Sequence, residues 1–274
     1  MGQKKKANSA LTFIDLFSGC GGFSLGLERA GFSCLAAIDS DRVAVDTFRA
    51  NFPRVRHVLE RDLTSFLPAH LDAVLDRQRV DVIIGGPPCQ GFSKARHVDG
   101  SNHGKRLVAD PRRYLYRNFL SYVAYYQPRV FVMENVPGLR WAAGGEFFAK
   151  VQSEARALGY RVHSEEVESW RFGVPQKRVR QLIVGTRREL PLFVGSRYLK
   201  RTHVLAGEPA AATLQSATSL WEAIGDLPPL RSAEGQYQSS YDYARQCIQL
   251  ARYGERYLLN VLQIHRAKKL TSHC

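Results

Sequence analysis

Two periodicities alternate along the first two-thirds of the chain. Short apolar runs at residues 11–17, 34–38, 80–84, 129–133 and 181–185 read as strands. Between them, residues 23–30, 42–51, 114–126 and 147–158 carry apolar side chains at helical spacing. The punctuation agrees, since Gly31 stops the first helix and Pro53 closes the second. Strands separated by helices predict an α/β fold, a parallel sheet with helices on both faces. After residue 190 the pattern degrades. Residues 219–224 and the basic stretch 257–270 are the remaining helix candidates, and the aromatic stretch 237–243 reads as a packed surface patch. There is no internal repeat.

Composition narrows the class. The chain has 274 residues, 45% hydrophobic and 23% charged, enough to bury a large core and exclude a mainly disordered state. The net charge of +14 predicts a polyanionic partner, because cations that neutralise phosphates release condensed counterions. A merely basic enzyme is the plain alternative. Five cysteines, at 20, 34, 89, 247 and 274, show no CxxC spacing. A disulfide framework or cysteine-rich zinc site is therefore not expected, and a reducing, cytoplasmic compartment fits. No apolar run approaches the about 18 residues of a membrane span, so no membrane partner is expected. The arm at 1–10 carries Lys4, Lys5 and Lys6 and reads as a disordered basic tail.

Ligands of open α/β sheets bind at the carboxyl ends of the strands, and three unusual clusters occupy such ends. The first is the turn Gly19-Cys20-Gly21-Gly22, which lets backbone approach a ligand. The strict dinucleotide pattern needs a further glycine where Ser24 stands. Asp39, 20 residues after Gly19, suits a ribose-hydroxyl acceptor. A plain strand-to-helix turn remains the alternative. The second cluster is Pro87-Pro88-Cys89-Gln90, where two fixed φ angles stiffen a loop able to aim a thiol into a crevice. An inert packed cysteine is the alternative, and it is the reading given to Cys20, Cys34 and Cys247. The third is Glu134-Asn135-Val136. A carboxylate ending an apolar strand is costly to bury without a partner and is a candidate proton donor, or else a cap. A fourth run, Gln176-Lys177-Arg178-Val179-Arg180, places Arg178 and Arg180 on one strand face, suited to phosphate or base-oxygen contacts or to a solvated edge.

In this order, 15–22 (Asp15-Leu16-Phe17-Ser18-Gly19-Cys20-Gly21-Gly22), 86–93 (Gly86-Pro87-Pro88-Cys89-Gln90-Gly91-Phe92-Ser93), Glu134-Asn135-Val136 and 176–180 resemble the bacterial DNA (cytosine-5) methyltransferases. The resemblance is firm over 11–190 and weaker beyond. It implies a Rossmann-like, S-adenosylmethionine-dependent methyltransferase sheet as the catalytic domain. It implies that Phe17, Ser18, Gly19, Cys20, Gly21, Gly22, Asp39, Asp62, Leu63 and Pro87 line the cofactor pocket. Phe17 would lie against the adenine, Asp39 at the ribose hydroxyls and Asp62 at the adenine amino group. It implies that Cys89 attacks C6 of a flipped cytosine and Glu134 serves N3. Arg178 would contact the base oxygen, and Arg180 would support the loop and a nearby phosphate.

The family's closing motifs are not recognisable, and Asn260-Val261-Leu262 lacks the glycine context of the last one. Residues 257–270 resemble the segment leading into a target-recognition region. We therefore expect 191–274 to be a partial C-terminal segment, with weak cofactor binding and little sequence selectivity. The expected partners are double-stranded DNA, a complementary C-terminal chain and a cognate restriction endonuclease. The competing readings are a truncated or silent nucleic-acid- or cofactor-binding remnant, one half of a two-chain enzyme, a transfer-RNA cytosine methyltransferase, and a nicotinamide oxidoreductase. The ending Gly91-Phe92-Ser93 disfavours the transfer-RNA enzyme, and the missing third glycine disfavours the oxidoreductase.

Overall fold

A computed structural model describes residues 10–88, 114–190, 199–205, 207–208 and 213–224. Strands β1 (Thr12–Leu16), β2 (Ser33–Asp39), β3 (His57–Glu60), β4 (Val82–Gly85), β5 (Val130–Asn135), β6 (Tyr160–Glu168) and β7 (Val179–Arg187) form one sheet in the order β3-β2-β1-β4-β5-β7-β6. The helices are α1 (Gly22–Arg29), α2 (Arg42–Asn51), α3 (Pro68–Val74), α4 (Leu115–Tyr126) and α5 (Glu146–Ala157). A two-stranded ribbon, β8 (His203–Val204) with β9 (Gln215–Ser216), and the short α6 (Leu220–Ile224) complete the described elements.

Side-chain alternation along each strand separates two cores. On one face, Ile14, Leu16, Ile38, Ile83, Phe131, Met133 and Ile183 pack with residues of α3, α4 and α5. On the other, Phe13, Val82 and Ile84 meet Phe23 and Leu27 of α1. There too, Ala37 meets Val45 and Phe48 of α2. The expected layers, helices on both faces of a sheet, are thus present. Buried polar tips are tied off where they arise: the Tyr160 hydroxyl donates to Pro128 O at 2.7 Å, and Tyr122 to Phe66 O at 2.5 Å. The α2 N-terminus is capped by Asp41, whose Oδ1 accepts from Val43 N and Ala44 N at 2.7 and 3.0 Å.

The sheet departs from the all-parallel expectation at one end. β1 to β5 run parallel, but β7 pairs antiparallel with both β5 and β6. Direction is not encoded in a strand's own apolar pattern, so the run at 181–185 gave no warning. Two strands escaped the periodicity as well. β3 and β6 are the sheet edges, and the sequence of β6, Tyr-Arg-Val-His-Ser-Glu-Glu-Val-Glu, is that of a half-solvated edge. The helix candidate at 219–224 is realised as α6. The arm at 1–9, Cys89, the loop 90–113, residues 237–243, Cys247, 257–270 and Cys274 lie outside the described residues.

Candidate active site

Four parallel strands, β1, β2, β4 and β5, end at the same edge of the sheet, and the antiparallel β7 begins there. The topology therefore gathers the glycine turn, Asp39, Gly86-Pro87, Glu134 and Arg180 on one rim.

The glycine turn starts with Phe17 in the left-handed region (φ 57°), uncommon for a non-glycine residue. This bend lets Ser18 N donate to Ile38 O at 3.0 Å, drawing the end of β1 to the end of β2. Gly19 N then donates to Asp39 Oδ2 at 2.8 Å, and Asp41 N to Asp39 Oδ1 at 2.9 Å. Asp39 thus holds the turn as well as lining it. Gly21 has φ +92°, and a Cβ there would lie 2.2 Å from the Phe52 ring. Gly21→Ala is expected to cost about 2–4 kcal/mol through overpacking and backbone strain, read as a lower urea midpoint. An unchanged midpoint would contradict this packing.

The rim has the marks of a ligand site. Ser18 is 8% exposed, and its Oγ has no hydrogen-bond partner among the described residues. Buried hydroxyls are seldom left so, and a polar group of a bound ligand would satisfy it. Asp62 lies just past β3, is exposed, and accepts from Thr64 N at 2.8 Å. The neighbouring backbone joins it to the rim, since Arg61 N donates to Asp39 O at 2.9 Å. Leu63 is 3% exposed within the main core, and its carbonyl accepts from Asn118 Nδ2 at 3.0 Å. It underpins Asp62 from the inside. Cys20 and Gly22 complete the turn, Cys20 partly buried and Gly22 opening α1.

Two residues were missed as site residues by sequence reasoning. Asp15, which stands inside the apolar run 11–17, is 1% exposed and shares the buried strand face of Phe13. Ser24, noted for not being glycine, is fully buried and donates Oγ to Asp15 Oδ2 at 2.6 Å. The clip ties the end of β1 to the first turn of α1, with the glycine turn between. Burial is the main force raising the Asp15 carboxyl, to about 7, with Ser24 drawing it down and Asp39 pushing it up. The folded state therefore keeps a proton that the unfolded chain releases near pH 4. Stability from this group is full below that pH and is lost as pH rises towards 7. Asp15→Asn should be more stable than the parent at pH 7–8, by on the order of 2–4 kcal/mol, with no gain near pH 4. Urea unfolding at the two pH values checks this, and a gain that does not grow with pH would contradict it.

At the other side of the rim, Glu134 ends β5 and pairs with Arg180, Nε to Oε1 at 2.5 Å. Glu134 is thus partnered, and it is Asn135 that caps, its Oδ1 accepting from Val136 N at 2.8 Å. Asn135 Nδ2 donates to Pro87 O at 3.2 Å, which fixes the turn that leads to Cys89. A Cβ on Gly86 would lie 3.0 Å from Glu134 Oε2, so glycine lets this backbone close on the carboxylate. Burial lowers the pKa of the Arg180 guanidinium, Arg178 adds to that, and Glu134 opposes it. Arg178 precedes β7 and is exposed, its backbone N donating to Ser169 Oγ at 3.2 Å. Of the two arginines, only Arg180 touches Glu134 in this arrangement.

The rim thus joins a glycine turn to a carboxylate–guanidinium pair beside a proline turn. The family model for C-5 cytosine-specific DNA methylases matches residues 11–269. The chain belongs to this family. Among its relatives, the type II methyltransferase M1.HphI of Haemophilus parahaemolyticus is 43% identical over 65% of this chain and 46% of its own length. M.DdeI of Desulfomicrobium norvegicum is 35% identical over 85% of this chain and 52% of its own. The chain therefore spans about half the length of these relatives. A crystal structure described as a DNA modification methyltransferase encoded within an E. coli prophage superposes with TM-score 0.66 and 29% identity. It covers 84% of this chain and 59% of that one. The Rossmann-like methyltransferase sheet implied by the motifs is the fold shared with it. Among the described residues, no helix is long and apolar enough to cross a membrane.

Proposed function

We propose that this chain transfers a methyl group from S-adenosylmethionine to C5 of cytosine in DNA through a covalent Cys89–C6 adduct. The observation that carries the reading is the Glu134–Arg180 pair set against Gly86 and Pro87, the turn that delivers Cys89. Bound S-adenosylmethionine would supply an electrophilic methyl group. Phe17, Ser18, Gly19, Asp39 and Asp62 would hold it, the glycine turn by backbone approach and Asp39 at the ribose.

The remaining work falls to this chain's own side chains. Cytosine C5 is a poor nucleophile until C6 is attacked, and both faces of a stacked base are hidden, so the base must leave the duplex. The Cys89 thiolate adds to C6. Glu134 takes the edge of the base at N3, giving it a proton or hydrogen bond as charge arrives there. Arg180 fixes the Glu134 carboxylate, and Arg178 reaches the base oxygen. C5, made nucleophilic by this addition, takes up the methyl group; passage of the C5 proton to water then re-forms the C5–C6 double bond as the sulfur leaves as thiolate. The +14 charge supports a phosphate-bearing substrate. The relatives are named type II methyltransferases, which supports double-stranded DNA and a companion endonuclease as partners.

The test is transfer of labelled methyl groups to unmethylated double-stranded DNA, with digestion to nucleosides afterwards. Label in 5-methylcytosine is expected. Label on the exocyclic nitrogen, or none, would overturn the proposal.

A further inference from the structure

The glycine turn lies over two carboxylates. Asp15 is buried beneath it, and Asp39 accepts from Gly19 N at its edge. The groups facing Asp15 are few. From α1 comes the Ser24 hydroxyl; from β2 come Asp39 and Cys34; its strand neighbours across the sheet are Ala37 and Ile84. Burial raises the Cys34 thiol, and Asp15 and Glu28 raise it further, so it stays neutral. Among the described residues, no cation is among the groups acting on Asp15. A buried carboxylate with no cationic partner is unfavourable unless it is protonated or a cation arrives with a ligand. Ser18 gives the independent sign of a ligand: its Oγ, in the turn that links the two strand ends, is buried without a partner among the described residues.

S-adenosylmethionine carries a sulfonium, and the product S-adenosylhomocysteine carries a neutral thioether in its place. Resting on the cofactor reading above, we infer that Asp15 is a specificity-determining residue that, when ionised, favours the cationic cofactor over the neutral product. Binding of S-adenosylmethionine then drives the proton of the Asp15 carboxyl out to the buffer, and binding of S-adenosylhomocysteine does so less. Ser24 sets the balance, since its hydrogen bond favours the ionised form. The same charge that costs the fold stability at neutral pH would thereby help eject product.

Calorimetry on the 274-residue chain tests this, titrating each ligand near pH 6.5 in two buffers of unlike ionisation enthalpy. The cofactor should release up to about one proton more than the product does, because ammonium groups common to both ligands cancel. Affinity for S-adenosylmethionine should fall below neutral pH by at most about tenfold per pH unit, more steeply than for the product. Asp15→Asn should remove the difference in proton release and narrow the preference for cofactor by about tenfold. Ser24→Ala keeps the carboxylate and should move the midpoint of the pH profile upward, which carries the test if Asp15→Asn does not fold. Equal proton release for both ligands, or an unchanged preference and profile in the variants, would overturn the inference. If neither ligand binds, the cofactor reading itself fails, and this one with it.

Discussion

Cys89→Ser is expected to lower methyl transfer by roughly 10⁴–10⁶-fold, the scale on which removal of a covalent nucleophile acts. Serine keeps the size of the side chain and loses the thiolate. A hydroxyl at neutral pH has no comparable ionised fraction. The turn ahead of it is fixed independently of this side chain's thiol, through Asn135 Nδ2 and Pro87 O. S-adenosylmethionine affinity should stay within about threefold of the parent. Turnover by the serine variant at a rate near the parent's would remove covalent catalysis from the mechanism. Loss of cofactor binding together with turnover would point to a structural role for the loop instead.

The second large effect is expected at Glu134. Glu134→Gln keeps the shape and an oxygen able to face Arg180, but it cannot give a proton to N3. A fall in kcat of about 10²–10⁴-fold is expected, with KM for DNA nearly unchanged, because the lost interaction develops as the thiolate adds. The substitution also leaves the partly buried Arg180 without its countercharge. That part of the effect is separable: it should appear in the unfolding midpoint and be shared by Arg180→Ala. A Glu134→Gln enzyme that loses stability but keeps kcat would reduce the residue to a partner of Arg180.

Much of the rim was legible in the sequence, for a physical reason. Central strands β1 and β4 are buried on both faces, and β2 and β5 largely so, so they are written as apolar runs, and the glycine, proline and carboxylate residues at their ends stand out as turn chemistry. The positions of Gly19, Asp39 and Glu134 at one sheet edge could be read from that contrast. The edge strands β3 and β6 were not legible, because half-solvated backbone tolerates polar residues such as Glu165 and Glu166. The reversal of β7 was not legible either. It matters chemically, since it brings Arg180 to Glu134 from the start of a strand and not from its end. Asp15 was hidden by its own context. An aspartate within an apolar run reads as a break, and only the alternation that pairs it with Phe13 shows that it points into the core.

Asp15 also shows how stability and function are set against each other in this fold. The glycine turn needs the Asp15–Ser24 clip to join β1 to α1, yet an asparagine there would keep a hydrogen bond without burying a charge. The presence of the acid is therefore better explained by what the turn receives than by what holds it together.

The central claim is a covalent bond between Cys89 and C6 of cytosine during methyl transfer. DNA carrying 5-fluorocytosine tests it most directly, because fluorine at C5 cannot leave as a proton does and the adduct cannot collapse. Incubated with S-adenosylmethionine, the chain should become bound to such DNA in a complex stable to denaturant. Peptide mass mapping should place the link on Cys89, with the methyl group on the same base. No stable complex, or a link on any other residue, would contradict the claim.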